Sequence, residues 1–268
     1  MEKLKRGQRM AAITKMLTGS PGRRFSYATF CDLFGATKST ISEDVELCRQ
    51  TLAQLDLGQV RTLPGAAGGV LYLPVGSPEG DRAFLQQLCR RLEEPGRILP
   101  GGYVYMTDIL STPALAERMG NILAAPYHGD RPDHVVTVET RGIPVAMMVA
   151  RALDVPLLIA RRSFRLADGS LVTINYAAGP GDIRTLSLPR RSLEPGQKTL
   201  IIDDVLKGGG TLYGLSELME ECGVTVAGIG VVAATCTPAS KRVPSYRALL
   251  TLDHVDEEAR TVSIRPAL

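Results

Sequence analysis

Residues 199–214 read TLIIDDVLKGGGTLYG, and this stretch indicates the fold class of most of the chain. An apolar run ends in Asp203 and Asp204, and a lysine, three glycines and Thr211 follow. A short apolar run next to glycines is typical of a strand that is buried on both faces, as in parallel sheets. A helix is predicted from about Thr211. The order strand, loop, helix therefore predicts an α/β unit whose loop lies at the carboxyl end of a buried strand.

The loop after the two acids has the composition of an anion-binding site. Its glycines let the backbone approach a ligand closely, and the first N–H groups of the following helix lie at the positive end of its dipole. Asp203 and Asp204 would repel a phosphate, but they can accept hydrogen bonds from hydroxyl groups. A ligand with both a phosphate and vicinal hydroxyls is a ribose phosphate. The residues predicted to bind the phosphate are Lys207, Gly208, Gly209, Gly210 and Thr211.

Two common nucleotide-binding motifs do not match this stretch. The lysine precedes the glycines, whereas it follows them in GxxxxGK[ST], and the glycine spacing differs from that of GxGxxG. An acidic turn beside a glycine-rich bend, with no ligand, is the alternative interpretation.

The second three-quarters of the chain alternates predicted strands with predicted helices. The apolar, β-branched runs are HVVTVET (134–140), PLLIARR (156–162), KTLIIDD (198–204) and VAGIGVVAAT (226–235), and the helical stretches are PVAMMVARAL (144–153) and GLSELMEECG (214–223). Strands linked by helices predict a parallel sheet of the α/β class. Ligands of such sheets bind at the carboxyl ends of the strands, so the residues after each run are candidates for one site.

Two other strand ends have residues suited to an anion. ETRGIP (139–144) leads into a helix through a glycine, which exposes backbone N–H groups, and two arginines follow the next strand. A long loop is expected at 175–187, after the arginines. A tyrosine at the start of the α/β region is a further candidate. The candidate residues are Thr140, Arg141, Gly142, Arg161, Arg162 and Tyr103.

The first quarter of the chain contains the excess positive charge. Residues 1–75 hold ten Lys or Arg and six Asp or Glu, whereas the rest of the chain holds 21 and 22. This asymmetry favours a polyanionic partner for the first quarter. Three helical patterns lie within residues 4–55, and Thr40 and Glu43 have the spacing of a capping box at the start of the third. VRTLPGAAGGVLYLP (60–74) then predicts a hairpin, and this order of elements predicts a winged helix.

A winged helix predicts DNA binding through the start of its third helix and through its hairpin. The candidate residues are Lys5, Arg6, Lys38, Ser39, Thr40, Ser42 and Arg61, together with the backbone of residues 65–69. A small helical cap whose charges are merely solvated is the alternative interpretation. The turn-rich PVGSPEG (74–80) predicts a domain border near 75–80, and the predicted domains are residues 1–75 and 76–268.

The composition excludes several classes of protein. Hydrophobic residues make up 44% of the 268 and charged residues 22%, as in soluble globular proteins. No apolar run is long enough for a membrane span, and no secretory signal is expected at the N-terminus. The five cysteines form no CxxC pair and the three histidines have no metal-ligand spacing, so we predict reduced thiols, no metal site and a cytoplasmic protein.

Several of these motifs resemble those of one known family. LIIDDVLKGGGT (200–211) resembles the phosphoribosyl pyrophosphate (PRPP) signature of type I phosphoribosyltransferases, and ETRGIP resembles their pyrophosphate loop. The whole chain resembles the purine operon repressor family of Gram-positive bacteria, which joins a winged helix to a phosphoribosyltransferase-like domain. Further motifs in the expected order are TLPGAAGGVLYLP (62–74), GGYVYMTDIL (101–110) and TINY (173–176).

The resemblance implies both a fold and a function. The fold is α/β, with a winged-helix DNA-binding domain before a parallel-sheet, type I phosphoribosyltransferase-like domain that binds the effector and dimerises. The implied function is a homodimeric transcriptional repressor of purine biosynthesis genes that binds double-stranded operator DNA and senses PRPP. In this family the two acids bind the ribose 2′- and 3′-hydroxyls and the glycine loop binds the 5′-phosphate. No transferase activity, catalytic residue or required cofactor is implied.

Some alternatives remain open from the sequence. One is an active purine phosphoribosyltransferase with an added DNA-binding domain, although Lys207 and Gly208 stand where enzymes of the larger family often have small hydroxyl or alanine residues. Another is a scaffold whose N-terminal domain only dimerises. The sequence also leaves open whether Mg²⁺ accompanies PRPP, and whether a purine nucleotide such as a guanine alarmone competes for its pocket.

Overall fold

The N-terminal part of the chain consists of three helices followed by an antiparallel hairpin. The computed structural model describes residues 4–65, 68–163, 169–179 and 181–268. The elements are α1 (Arg6–Gly19), α2 (Tyr27–Phe34), α3 (Lys38–Gln54), β1 (Gln59–Leu63) and β2 (Gly69–Leu73). This order confirms the predicted winged helix. Of the predicted wing backbone at 65–69, residues 66–67 lie outside the described residues.

The helix caps follow from the local sequence, with one correction. Ser26 caps α2 by accepting from the N–H of Thr29. The predicted capping box of Thr40 and Glu43 is wrong, because Thr37 caps α3 and accepts from the N–H of Thr40. Thr37 has the extended backbone of an N-cap residue, so the helix begins three residues earlier than the Thr40 pattern indicates. Thr40 lies in the first turn instead.

Apolar side chains hold the three helices together, and ion pairs join α1 to α3. The fully buried residues of this core include Ile13, Leu17, Phe30, Ile41 and Val70. Arg9 of α1 is also buried, and its Nε donates to Asp44 Oδ2 of α3 over 2.7 Å. Because an unpaired buried charge is costly, this pair fixes the orientation of α1 on α3.

The second part of the chain is a three-layer α/β structure. Its elements are α4 (Pro78–Leu92), β3 (Ile98–Leu99), β4 (Tyr103–Val104), α5 (Thr107–Ser111), α6 (Pro113–Ala124), β5 (His134–Val138), α7 (Ile143–Leu153), β6 (Leu157–Ala160), β7 (Leu171–Gly179), β8 (Asp182–Pro189), β9 (Lys198–Leu206), α8 (Gly210–Glu221), β10 (Thr225–Thr235), β11 (Arg247–Asp256) and β12 (Thr261–Pro266). The central sheet has the order β12-β11-β10-β9-β5-β6, and every neighbouring pair is parallel except β11 and β12.

The strand at the centre of the sheet is buried on both faces, as its apolar run predicts. Leu200 and Ile202 of β9 pack with α4, α6 and α7, whereas Ile201 packs with α8 on the opposite face. This alternation follows from the two-residue repeat of a strand. The four predicted strands and two predicted helices are confirmed.

The long loop expected at 175–187 is instead an antiparallel hairpin of β7 and β8. It packs on α8, where two glycines allow close approach: a Cβ at Gly214 would lie 2.5 Å from the Tyr176 ring, and one at Gly210 would lie 2.9 Å from the Ala177 carbonyl oxygen. The stretch has turn residues at its centre, and the interpretation as a loop was wrong because its packing partner lies elsewhere in the chain.

The winged helix contacts the second part of the chain through Gly22 and Asp56, among other residues. Gly22, between α1 and α2, has a φ of +73°, and a Cβ there would lie 2.9 Å from the Ala152 carbonyl oxygen at the end of α7. Asp56, after α3, accepts hydrogen bonds from both the N–H and the hydroxyl of Ser77, which caps α4. The stretch predicted as the domain border therefore runs along a contact between the two parts.

Candidate effector-binding site and nucleic-acid interface

The carboxyl ends of three adjacent parallel strands meet at one edge of the sheet. In the order β9-β5-β6, β9 ends with Asp203 to Leu206, β5 is followed by residues 139–142, and β6 is followed by residues 161–162. Parallel strands place these ends together. The structure thereby brings most of the predicted effector residues to a single edge, although they are up to about 70 positions apart along the chain.

The two acids of β9 have different surroundings. Asp204 is 7% exposed, and Arg141 Nε lies 2.8 Å from its Oδ2. Asp203 is half-buried, and its Oδ1 accepts from the backbone N–H of Asp204 over 2.9 Å. Gly142 packs against Asp203, since a Cβ at residue 142 would lie 3.0 Å from Asp203 Oδ1. A side chain at position 142 would therefore displace this carboxyl.

The surroundings of Asp203 favour its protonated form. Burial, and then the negative charge of Asp204, raise the pKa of Asp203 to about 8, while the charge of Arg162 acts in the opposite direction. Two neighbouring carboxyls with little solvent cannot both ionise easily. A protonated carboxyl at Asp203 can both donate and accept hydrogen bonds, which suits recognition of a hydroxyl group.

The glycine loop offers backbone donors. It runs from Lys207 to the start of α8 at Gly210, and Gly209, the residue before that helix, has a φ of +84° that favours glycine. Among the described residues, no atom accepts from the N–H groups of Gly208 and Gly209. Free N–H groups at the start of a helix favour an anion, and Thr211 adds a hydroxyl in the first turn.

A cavity of about 410 Å³ lies beside this loop. Tyr103, Arg141 and Lys207 line it together with residues of β10, β11 and β12. Lys207 Nζ is 5.8 Å from the centre of the Tyr103 ring, within the range of a cation–π contact. A planar group attached to a ligand in the loop would find apolar and aromatic walls here.

The two arginines after β6 are held in different ways. Arg161 forms a backbone bridge with Ser187 of β8, with 2.9 Å hydrogen bonds in both directions. The backbone N–H of Arg162 donates to Glu139 Oε1 over 2.8 Å, which ties this segment to the loop after β5. Thr140 is exposed on that loop. The β7–β8 hairpin is thus connected to the edge of the sheet through Arg161.

The start of α3 presents the polar face that the sequence predicts. Lys38, Ser39 and Ser42 are exposed, and Thr40 is half-buried. Lys38 and Tyr27 line a groove of about 590 Å³ whose other wall is the hairpin, at residues 62–65 and 68–69. The other helical residues of this groove belong to α2 and its N-cap, so the groove lies between α2 and the hairpin, and Lys38 is the one predicted α3 contact that lines it.

The other predicted DNA-binding residues lie apart from this groove. Lys5 is exposed before α1, and Arg6 pairs with Asp44 and Glu43 of α3. Strand alternation places Arg61 on the opposite face of β1 from Val60, which is buried in the core. Burial, and then the charge of Arg61, lower the pKa of His128 to about 4. Since His128 follows α6, Arg61 lies near the second part of the chain.

Two residues near the glycine loop were missed by the sequence analysis. Lys241 Nζ donates to the carbonyl oxygen of Lys207 over 2.6 Å, and the backbone N–H of Arg242 donates to that of Gly208 over 3.1 Å. Their stretch PASKRVPS (238–245) has the polar, proline-containing composition of a surface turn, and no motif in it signalled these contacts.

Two general features of the described residues concern metals and membranes. In the described ranges, no three His, Cys, Asp or Glu side chains form a cluster able to hold a metal ion. Within the same ranges, none of the helices combines the length and the apolarity that a bilayer span requires.

Comparison with known proteins adds the family. Residues 5–74 match the model described as "Bacterial purine repressor, N-terminal", and residues 106–261 match the "Phosphoribosyl transferase domain". The "Purine biosynthesis transcriptional repressor PurR" of Bacillus subtilis (strain 168) is 39% identical over 98% of this chain and 93% of its own length. The chain belongs to the bacterial purine repressor family. The family assignment predicted from the sequence is confirmed.

Some relatives within this family are named as repressors and others as activators. The "Purine biosynthesis transcriptional activator PurR" of Lactococcus lactis subsp. lactis (strain IL1403) is 34% identical over 98% of this chain and 97% of its own length. A solved adenine phosphoribosyltransferase from Rhodothermus marinus superposes with a TM-score of 0.54 at 24% identity, covering 62% of this chain and 96% of the enzyme. That likeness shows the phosphoribosyltransferase fold of the second part.

Proposed function

We propose that the protein is a transcriptional repressor of purine biosynthesis genes whose operator binding is controlled by PRPP. The observation that carries this proposal is one edge of the sheet, where Asp203 and Asp204 lie next to the free N–H groups of Gly208 and Gly209. Hydroxyl acceptors beside an anion-binding loop fit a ribose 5-phosphate. The same chain has a winged helix, which enzymes do not need for transfer chemistry.

Each part of PRPP has a candidate partner. The ribose hydroxyls meet the two acids, and the 5-phosphate meets residues 207–211. The pyrophosphate meets the loop after β5, where Thr140, Arg141 and Gly142 lie, with Arg161 and Arg162 at its side. Tyr103 and Lys207 cover the remaining cavity. No cofactor is required in this proposal, and Mg²⁺ would bind through oxygens of the pyrophosphate rather than through a cluster of side chains.

Control of DNA binding requires that PRPP bind the free protein more tightly than the DNA-bound protein. The winged helix would contact phosphates through its basic residues and bases through the start of α3. The proposed DNA contacts are Lys5, Arg6, Lys38, Ser39, Thr40, Ser42 and Arg61. A homodimer would place two such modules on one operator, as expected for symmetric regulators.

Titration of operator binding tests the proposal. Fluorescence anisotropy of the full chain with a duplex from the control region of a purine biosynthesis gene should show binding that weakens steeply with salt. Saturating PRPP should weaken it further, and transcription in vitro from that duplex should rise. DNA affinity unchanged by PRPP would overturn the effector assignment, and falling transcription would make the protein an activator. Including a guanine alarmone in the titration tests its competition with PRPP.

A working phosphoribosyltransferase is the second candidate, because the cavity of about 410 Å³ beside the loop has room for a purine base. Incubation with PRPP, Mg²⁺ and each purine base distinguishes the two. Sustained pyrophosphate release with one base, abolished in Asp203→Asn, would establish an enzyme. We expect no sustained pyrophosphate release, since Lys207 strengthens binding of the ligand itself, and tighter ground-state binding does not accelerate a reaction.

A further inference from the structure

Lys241 lies behind the glycine loop and uses all three of its donors on oxygen atoms. It follows β10 and is half-buried. Its Nζ donates to the carbonyl oxygen of Lys207 over 2.6 Å, to that of Thr235 over 2.7 Å and to Thr235 Oγ1 over 3.3 Å. A lysine side chain has three N–H donors, so no donor remains for a ligand.

The contacts of residues 241 and 242 fix the direction of two successive peptide groups. In a trans peptide the C=O of one residue points opposite to the N–H of the next. The C=O of Lys207 is held by Lys241, and the C=O of Gly208 is held by the N–H of Arg242 over 3.1 Å. The N–H groups of Gly208 and Gly209 therefore both point away from residues 241–242.

Such a fixation matters because the loop is built of glycines. Glycine has few steric restrictions, so an unrestrained loop can rotate its peptide groups at little cost. A rotated peptide would present a carbonyl oxygen instead of an N–H, and that oxygen would repel a phosphate. The Arg242 side chain adds a second restraint, since its Nη1 donates to the Ala177 carbonyl oxygen of β7 over 2.5 Å.

We propose that Lys241, together with Arg242, is a positioning residue of the effector site that orients the N–H groups of Gly208 and Gly209 toward the 5-phosphate. The inference rests on the proposed function, because it concerns how the same loop binds PRPP. Lys241 acts through the Lys207 peptide and does not touch the ligand.

Calorimetric titration of the full chain with PRPP and with ribose 5-phosphate tests this role. Lys241→Met keeps the chain length but removes the donors, and should weaken both ligands by about tenfold to hundredfold, as for the loss of one or two charge-assisted hydrogen bonds. Lys241→Arg keeps donors and should restore most of the affinity. The matched control is Lys198→Met, which removes an exposed lysine paired with Asp130 at the far end of β9 and should bind like the wild type.

The outcomes separate the two proposals. Wild-type affinity in Lys241→Met, or equal losses in Lys241→Met and Lys241→Arg, would overturn the positioning role alone. A wild-type chain that does not bind PRPP would overturn the proposed function, and the positioning role with it. Hydrogen exchange of the peptide at 207–213 gives an independent readout: PRPP should protect it in the wild type and in Lys241→Arg, but much less in Lys241→Met.

Discussion

Arg141 Nε lies 2.8 Å from Asp204 Oδ2, and this ion pair joins the loop after β5 to the end of β9. Asp204 is 7% exposed. Apart from this ion pair, its Oδ2 has no partner with the geometry of a hydrogen bond among the described residues. A buried carboxylate needs a partner, so Arg141 cannot leave Asp204 unless another group, such as a ligand hydroxyl, replaces it. The two proposed ligand loops are therefore electrostatically linked to each other.

The acids should determine PRPP affinity without affecting DNA affinity. Asp203→Ala and Asp204→Ala should each weaken PRPP binding by about tenfold to hundredfold, because each removes the side chain proposed to hydrogen-bond the ribose hydroxyls. Calorimetry measures this, and Asp130→Asn, an exposed acid paired with Lys198, serves as the control. Operator affinity in the absence of PRPP should be the same in all three variants. A parallel loss of DNA binding would contradict separate sites.

Asp203 should make the stability of the protein depend on pH. Because its pKa is raised to about 8 in the folded chain, the folded state retains a proton that the unfolded state loses. The contribution of Asp203 to the free energy of unfolding therefore falls as the pH rises from about 4 to about 8, and it is constant above pH 8. Asp203→Asn removes it. The stability of the variant relative to the wild type, from urea unfolding, should therefore increase across this window, and a flat difference would refute the assignment.

Lys38 should contribute to DNA affinity through a phosphate contact. Lys38→Ala should weaken operator binding by about tenfold and reduce the slope of log affinity against log salt by about one, since one counterion fewer is released. Arg90→Ala, which removes an exposed charge from α4, is the control and should leave both quantities unchanged. PRPP affinity should be retained in both. An unchanged salt slope in Lys38→Ala would place this residue outside the interface.

Gly22 should transmit the effect of PRPP to the DNA-binding module. It touches the end of α7, and the residue before α7, Gly142, touches Asp203. Gly22→Ala should leave PRPP affinity intact. The change that PRPP causes in the logarithm of the DNA affinity should fall by half or more. Gly35→Ala is the matched control: residue 35 also has a positive φ, +59°, but nothing lies within 4 Å of a Cβ there. Both variants bear a similar backbone cost of about 1 kcal/mol.

The comparison of these two glycine variants decides whether the contact matters. A reduced PRPP effect in Gly22→Ala alone supports transmission through α7. Equal behaviour of the two variants would attribute any loss to backbone strain and would exclude the contact as the link.

The sequence predicted the elements whose signal is local. The runs around β5, β6, β9 and β10 are apolar and β-branched, so burial on both faces could be inferred from the residues themselves. The acids, the glycine loop and Arg141 were assigned to one site because parallel strands end at the same edge. Their order along the chain was sufficient for that inference.

Features that depend on distant partners were not predicted. The β7–β8 hairpin forms against Gly210 and Gly214 of α8, and the sequence of the hairpin gives no sign of such a partner. The start of α3 was misplaced because Thr37, Ser39 and Thr40 are all possible caps, and only backbone geometry selects among them. Lys241 was missed because its two shortest hydrogen bonds go to carbonyl oxygens, which every residue has. The position of Arg61 near His128 likewise depends on how the two parts of the chain meet.

The contact of Gly22 with the end of α7 also bears on how such regulators can be recombined. In a hybrid made by joining a foreign DNA-binding module at residue 75, the incoming module would have to replace the contact that Gly22 makes with the end of α7. If the contact transmits the effect of PRPP, we expect a response only from modules with a glycine at the equivalent of position 22 and a turn of the same length before the second helix. Exchange of operator specificity between sensors should therefore preserve residues 20–23 and α7 as a matched pair.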